Sequence, residues 1–216
     1  MADDDAAPLS LRQGSTDPEL VRRHYDDWAA SYDDTLAAWN YRAPGDAADL
    51  LAPRLSAGAR VLDVGCGTGL FGQALRDRVD VALDGIDISQ PSLDRARSRG
   101  YARVAQHDLQ HVPLPAETDA YDAAASVGVL TYIAHAEALL RDMCRCVRPG
   151  GAIAFTQRDD LWETRDYPGT LAQLAEDGLW TVERVSEPRA YLPANAEFGD
   201  EVKVVHVLAT VAARGG

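Results

Sequence analysis

Lysine is almost missing from this chain. Lys203 stands alone among 21 basic residues, against 34 acidic ones, and the net charge is −13. That balance excludes a general attraction to DNA, RNA or anionic membrane, because phosphate contacts need clustered Lys and Arg. Cysteine is scarce as well: Cys66, Cys144 and Cys146 are an odd set. They read as reduced thiols rather than a disulfide framework, and no metal-ligand spacing appears around them. No apolar run reaches the roughly 18 residues needed to cross a bilayer. The acidic start, Met1-Ala-Asp-Asp-Asp5, lacks the basic and then apolar order of a signal peptide. These absences together give the expectation of a cytoplasmic protein with neither nucleic acid nor membrane as partner.

What is present suits one folded domain. The chain has 216 residues, 46% of them hydrophobic, enough to bury a full core. Residues 1–17 are acidic and polar and are expected to be a disordered tail. Residues 18–216 are expected to form a single domain whose first part, to about residue 56, is a helical cap. Asp17-Pro18 is a helix start, with Asp as N-cap and Pro at the first position. Val21, Tyr25, Trp28, Tyr32, Leu36 and Trp39 then recur every three or four residues, one face of a helix or of two helices broken at Ser31. A further helix is expected over 46–55.

The rest alternates strands and helices. Strands are expected at 60–64, 81–87, 103–108, 121–130 and 152–157, separated by helices at 69–78, 91–99 and 135–147. A helix at 170–177 and two closing strands, 179–187 and 202–212, end the chain, with a polar connection from Arg158 between. This is an open α/β sheet with an antiparallel end. Its focus is the first strand and the glycine-dense turn behind it, Leu62-Asp-Val-Gly-Cys-Gly-Thr-Gly69. Glycines at 65, 67 and 69 permit positive φ and close approach of a ligand to the main chain. Asp63, inside an apolar strand, needs a hydrogen-bond partner or a ligand. Asp87 ends the second strand 18 residues past Gly69, where doubly wound folds bind ribose hydroxyls. Gly67-Thr-Gly-Leu-Phe-Gly72 also spells GxGxxG, the dinucleotide fingerprint, but begins later than that turn requires.

The ordered set Leu62–Gly69, Gly85-Ile-Asp-Ile-Ser89, Asp108-Leu109, Tyr121-Asp-Ala123 and Arg148-Pro-Gly-Gly151 resembles class I S-adenosylmethionine-dependent methyltransferases. The flank Tyr25-Asp-Asp-Trp-Ala-Ala-Ser-Tyr-Asp33 with Tyr41-Arg-Ala-Pro44 also resembles the Williams–Beuren-region methyltransferase-like subgroup. The resemblance implies a Rossmann-like, seven-stranded, mostly parallel sheet of order 3-2-1-4-5-7-6 with strand 7 antiparallel. It implies S-adenosylmethionine as cofactor. By the same resemblance Asp63, Gly65, Cys66, Gly67 and Gly69 hold its methionine part, Asp87 the ribose and Ile88 the adenine face. Asp108 and Leu109 meet the adenine edge, while Ser126, Val127 and Gly128 pass beneath the sulfonium.

Methyl transfer needs alignment and a dry site more than an elaborate catalytic group. Tyr25, Tyr32 and Tyr132 are the candidates at the reacting centre, Tyr25 and Tyr32 as rings enclosing a sulfonium cation. Tyr132 stands where some small-molecule members carry His. His135, nearby, reads as a helix start. Trp28, Tyr41, Arg158, Asp159 and Trp162 are candidates for acceptor binding. The leading expectation is methyl transfer to a small-molecule acceptor. The alternatives are lyase or cyclase chemistry releasing methylthioadenosine, and an NAD-dependent or nucleotide-sensing protein. Monomer and homodimer both stay open.

Overall fold

The computed structural model describes residues 11–12 and 14–213. The chain opens with three helices, α1 (Pro18–Trp28), α2 (Tyr32–Ala38) and α3 (Ala43–Leu51). Asp17 caps α1, its carboxylate accepting from the N–H groups of Glu19 and Leu20 at 2.9 and 3.2 Å. The break at Ser31 falls where the sequence suggests it. The third helix begins at residue 43 rather than 46, because Pro44 fits a first helical turn.

The sheet follows: β1 (Ala59–Val64), β2 (Val81–Asp87), β3 (Arg103–Gln106), β4 (Tyr121–Ser126), β5 (Val147–Arg158), β6 (Trp180–Val185), β7 (Arg189–Ala190) and β8 (Lys203–Val211). Helices α4 (Leu70–Arg76), α5 (Gln90–Ser98), α6 (Ala136–Cys146), α7 (Asp159–Trp162) and α8 (Tyr167–Glu176) connect them. The strand order is β3-β2-β1-β4-β5-β8-β6, with the two-residue β7 an addition on β8. Leaving β7 out, this is the expected 3-2-1-4-5-7-6 order. Parallel pairing runs from β3 to β5, with Val64 opposite Ile86 and Leu62 opposite Ala124. β8 is antiparallel to its neighbours, Phe155 facing Val207.

Strand β4 is shorter than the apolar run 121–130. Gly128 turns the chain at φ +76°, and Leu130 belongs instead to a one-turn 3₁₀ helix, Leu130–Tyr132. The connection after β5 holds the short α7 rather than an irregular link.

Alternate residues of the strands feed two apolar clusters. Leu62, Val64, Ala124 and Ile153 pack with α6 and α8, while Val61, Ala123 and Ala125 pack with α3, α4 and α5. A third cluster lies off the sheet: Leu36, Leu192, Phe198 and Val202, with Trp28, Tyr32 and Tyr41 against them. It joins the aromatic face of α1 and α2 to the loop between β7 and β8.

The expected disordered tail falls in part on residues outside those described. Within it, the carbonyls of Leu11 and Arg12 both accept from Arg158 at 2.8 Å. Arg12 in turn donates to the carbonyl of Glu197 at 2.7 Å.

Candidate active site

Two adjoining cavities lie beyond the carboxyl ends of β1, β2 and β4, under α1 and α2. This is the switch point of the sheet, where parallel α/β folds place ligands.

The outer cavity encloses about 660 Å³, its opening included. The turn after β1 forms its floor. The N–H groups of Gly65 and Cys66 both donate to Ile86 O, at 2.7 and 3.0 Å, which stitches the turn to the end of β2. Gly65 and Gly67 sit at φ +78° and +51°. A Cβ at Gly65 would fall 2.2 Å from a Val129 methyl, whereas at Gly67 it would meet nothing within 4 Å. The main chain at Gly67 is therefore open to a ligand.

Asp87 lines the same cavity. It accepts from the N–H groups of Gly67 (2.7 Å) and Ser89 (2.9 Å). Burial raises its carboxyl above the ordinary range, and these N–H groups pull it back. Each carboxylate oxygen keeps a lone pair for a further donor. Asp108 is arranged alike, accepting from Gln110 N–H at 2.9 Å and lying 3.0 Å from the His111 ring. Ile88, Leu109, Val127, Val129 and Ile133 give the apolar walls. Among the described lining residues there are two carboxylates and no Lys, Arg or His.

The expected site residues divide. Gly65, Gly67, Asp87, Ile88, Asp108, Leu109, Val127 and Gly128 line the outer cavity; Asp63, Cys66, Gly69 and Ser126 do not. Asp63 is 1% exposed and takes a 2.5 Å hydrogen bond from the Tyr101 hydroxyl. Burial pushes its carboxyl up to about 7. Gly69 faces Tyr101 too, a Cβ there lying 2.9 Å from the ring. Cys66 is buried, its sulfur under Gly85. Ser126 is fully buried, without a hydrogen-bond partner for its hydroxyl among the described residues. The sequence reading missed Tyr101. Its signal was Gly72: a Cβ there would sit 2.3 Å from the Tyr101 hydroxyl, so the last glycine of the GxGxxG string admits a side chain rather than a pyrophosphate.

The inner cavity, about 380 Å³ with its opening, shares Tyr25, Tyr32, Gly128 and Tyr132 with the outer one. Trp28, Tyr41, Tyr191 and Phe198 complete much of its wall. The rings meet edge to face, Tyr25 with Tyr132 at 5.7 Å and Tyr41 with Tyr191 at 5.5 Å. Burial, with neighbouring hydroxyls adding to it, holds the Tyr25, Tyr32 and Tyr41 phenols well above their ordinary range. Burial raises Tyr132 and Tyr191 as well. All five stay protonated at neutral pH and serve as hydrogen-bonding walls, not bases. His135 is exposed at the start of α6 and lines neither cavity.

The other three acceptor-binding candidates divide: Arg158 lines the inner cavity, and Asp159 and Trp162 lie outside both. Arg158 reaches the inner cavity, but its guanidinium is taken up by both oxygens of Asp160 and by the carbonyls of Leu11 and Arg12. It anchors the N-terminal segment, and its charge partly offsets the effect of burial on the Tyr132 and Tyr191 phenols. Asp159 accepts from the N–H of Lys203 at 2.8 Å, and Trp162 stacks on Tyr167 at 5.4 Å. Neither lines either cavity. Tyr191 and Phe198 were missed because a Pro- and Gly-containing loop shows no periodicity. Their only signal was aromatic residues in an otherwise polar connection.

Comparison with known proteins follows the same geometry. A methyltransferase domain family matches residues 61–151. Methyltransferase-like protein 27 from Homo sapiens is 33% identical over 172 residues, covering 76% of this chain and 70% of that protein. The 27-O-demethylrifamycin SV methyltransferase of Amycolatopsis mediterranei is 29% identical over 63% of the chain, which spans half of that protein's length. Among solved structures, a chain from the complex between the Haloferax volcanii Trm112 methyltransferase activator and a methyltransferase aligns with a TM-score of 0.68. It is 18% identical, over 91% of this chain and 99% of that one, a likeness of fold.

Proposed function

The chain belongs to the class I S-adenosylmethionine-dependent methyltransferases, and we propose that it methylates a small-molecule acceptor. S-adenosylmethionine is its cofactor, supplying a methyl group already activated by a sulfonium. We assign the outer cavity to that cofactor. One observation carries the assignment: among the described residues the cavity is lined by two carboxylates and no cationic side chain. Such a wall favours a ligand bearing a sulfonium and an ammonium and repels the pyrophosphate of a dinucleotide. The open space above Gly67 fits the same ligand.

In this assignment Asp87 accepts from the ribose hydroxyls and Asp108 from the adenine amino group, between Ile88 and Leu109. Gly65 and Gly67 receive the amino-acid end. Asp63, Cys66 and Gly69 act from behind, shaping the turn through Tyr101 and β2. Tyr25, Tyr32 and Tyr132 stand between the two cavities. Their neutral rings exclude water and offer π-faces to a cation. The protein's contribution at the reacting centre is alignment and desolvation, since no base lines the inner cavity among the described residues.

The test uses methyl-labelled S-adenosylmethionine with a fractionated cell extract, read by mass spectrometry. The expected result is label in a low-molecular-mass compound. Label confined to protein or nucleic acid, or release of methylthioadenosine without any acceptor, overturns the small-molecule reading.

A further inference from the structure

Helix α1 lies over the outer cavity on slender support. Pro18, Val21 and Tyr25 line the cavity, and Val21 is the one residue of the helix that is buried outright. Arg22 pairs within the helix, with Glu19 and Asp26 at 2.6 and 2.9 Å. Two polar atoms of α1, His24 Nε2 and Asp26 Oδ1, are buried without a hydrogen-bond partner among the described residues. Water would satisfy both if the helix lifted, so the closed position is held against a penalty. An element with few buried apolar contacts opens readily unless its ends are tied.

Each end of α1 is tied by a side chain from the body of the domain. Just past the helix, Arg95 on α5 donates to the carbonyl of Ala30 at 3.0 Å. Just before it, Gln110 donates to the carbonyl of Thr16, next to the Asp17 cap, at 3.0 Å. The same Nε2 donates to the Tyr132 carbonyl at 2.7 Å, and Oε1 accepts from the Ala134 N–H at 3.0 Å. Both amide hydrogens and the amide oxygen are engaged, and two carbonyls against one N–H fix which way the amide points. The Gln110 N–H donates to Asp108 at 2.9 Å. One residue therefore connects the entry to α1, the turn carrying Tyr132 and the carboxylate assigned to the adenine.

Gln110 itself lines the outer cavity, with Asp108, Leu109 and Pro18. Tyr132, whose carbonyl it holds, meets Tyr25 of α1 edge to face at 5.7 Å. Resting on the cofactor assignment above, we infer that Gln110 is a positioning residue, a latch that holds α1 closed over the adenine end of S-adenosylmethionine and slows its release. It acts through Thr16 and Tyr132, not on the reacting atoms. Losing it frees the start of α1 while Arg95 keeps the far end.

The test compares wild type with Gln110→Met, similar in length but without hydrogen bonds, and with Gln110→Glu, which keeps an acceptor for Ala134 and loses the donors to Thr16 and Tyr132. Binding of S-adenosylhomocysteine to wild type is measured first by calorimetry. If it fails to bind, the cofactor reading fails and this inference with it. If it binds, stopped-flow dissociation of S-adenosylhomocysteine is expected to be about tenfold faster in both variants, with the association rate within about twofold of wild type. Hydrogen exchange over residues 18–28 of the complex should quicken about fivefold or more, while exchange in β1 and β4 stays unchanged. A merely structural role would instead lower the melting temperature of the ligand-free protein and leave dissociation alone. Dissociation within about twofold of wild type, faster dissociation with unchanged exchange over α1, or failure of both variants to fold overturns the latch and leaves the cofactor assignment intact.

Discussion

Asp33 on α2 and Arg99 at the end of α5 form a 2.6 Å ion pair that ties the aromatic cap to the glycine turn. The other Asp33 oxygen accepts from the Thr68 hydroxyl at 2.6 Å, and Arg99 also donates to the Thr68 carbonyl at 2.6 Å. Three contacts thus hold Tyr32, next to Asp33, over the outer cavity. Asp33→Ala is expected to lower stability by about 1–3 kcal/mol, the range for breaking a partly buried charged hydrogen bond. It should also weaken S-adenosylhomocysteine binding about tenfold. Calorimetry with hydrogen exchange over α1 and α2 checks this: unchanged affinity and unchanged exchange would remove the coupling.

Gly65→Ala and Gly67→Ala should fail in different ways. At Gly65 the new methyl collides with Val129, so the fold itself is strained. At Gly67 it meets no atom, leaving a backbone cost of about 1–2 kcal/mol for positive φ. Gly67→Ala is expected to fold and to lose cofactor affinity, and Gly65→Ala to lose melting temperature foremost. Equal melting temperatures would contradict the packing argument.

Asp87→Ala removes the acceptor assigned to the ribose. A loss of about 1.5–3 kcal/mol in S-adenosylmethionine binding is expected, as for hydrogen bonds to a charged group. An unchanged dissociation constant would take Asp87 out of the site.

Asp63 makes stability depend on pH. In the unfolded chain its carboxyl ionises near about 3.9, and burial raises it to about 7 in the fold. Between these values the fold keeps a proton that the unfolded chain has lost. The stabilising contribution is therefore full below about pH 4 and is lost as pH rises through about 7. Asp63→Asn cannot titrate. From about pH 5 to about pH 7 the wild type should lose stability relative to the variant, at up to about 1.4 kcal/mol per pH unit. Denaturant unfolding of both proteins measures it, and parallel pH curves would refute it.

The chain has eight tyrosines, and burial raises every one. This holds in the cavities and at Tyr101, Tyr121 and Tyr167. Raised acids cost stability as pH climbs past their unfolded value of about 10. Phenolate absorbance should stay low to about pH 10 and then appear together with alkaline unfolding. A gradual rise near the ordinary phenol value, with circular dichroism unchanged, would show ionised rings in the fold.

Much of this molecule was legible beforehand because its signals are local. Alternation and apolar runs marked the strands, Asp17-Pro18 marked α1, and glycine spacing marked the turn. Asp87 and Asp108 stood out as carboxylates at strand ends. Misreadings came where a residue's partners do not follow from strand or helix periodicity. Asp63 suggested a ligand contact, and its partner is Tyr101. Arg158 suggested a substrate cation, and Asp160 with the Leu11 and Arg12 carbonyls had already taken its donors.

The sequence alone determined the order of elements, the turn and the carboxylates that point to S-adenosylmethionine. Each of these depends on backbone preference and periodicity within a short stretch. Only the tertiary structure decided which aromatic side chains meet. Tyr25, Tyr41, Tyr132 and Tyr191 come from four separate segments and meet around one cavity. Whether a tyrosine faces that cavity depends on contacts between residues more than a hundred positions apart, Tyr25 with Tyr132 and Tyr41 with Tyr191, which no local pattern encodes.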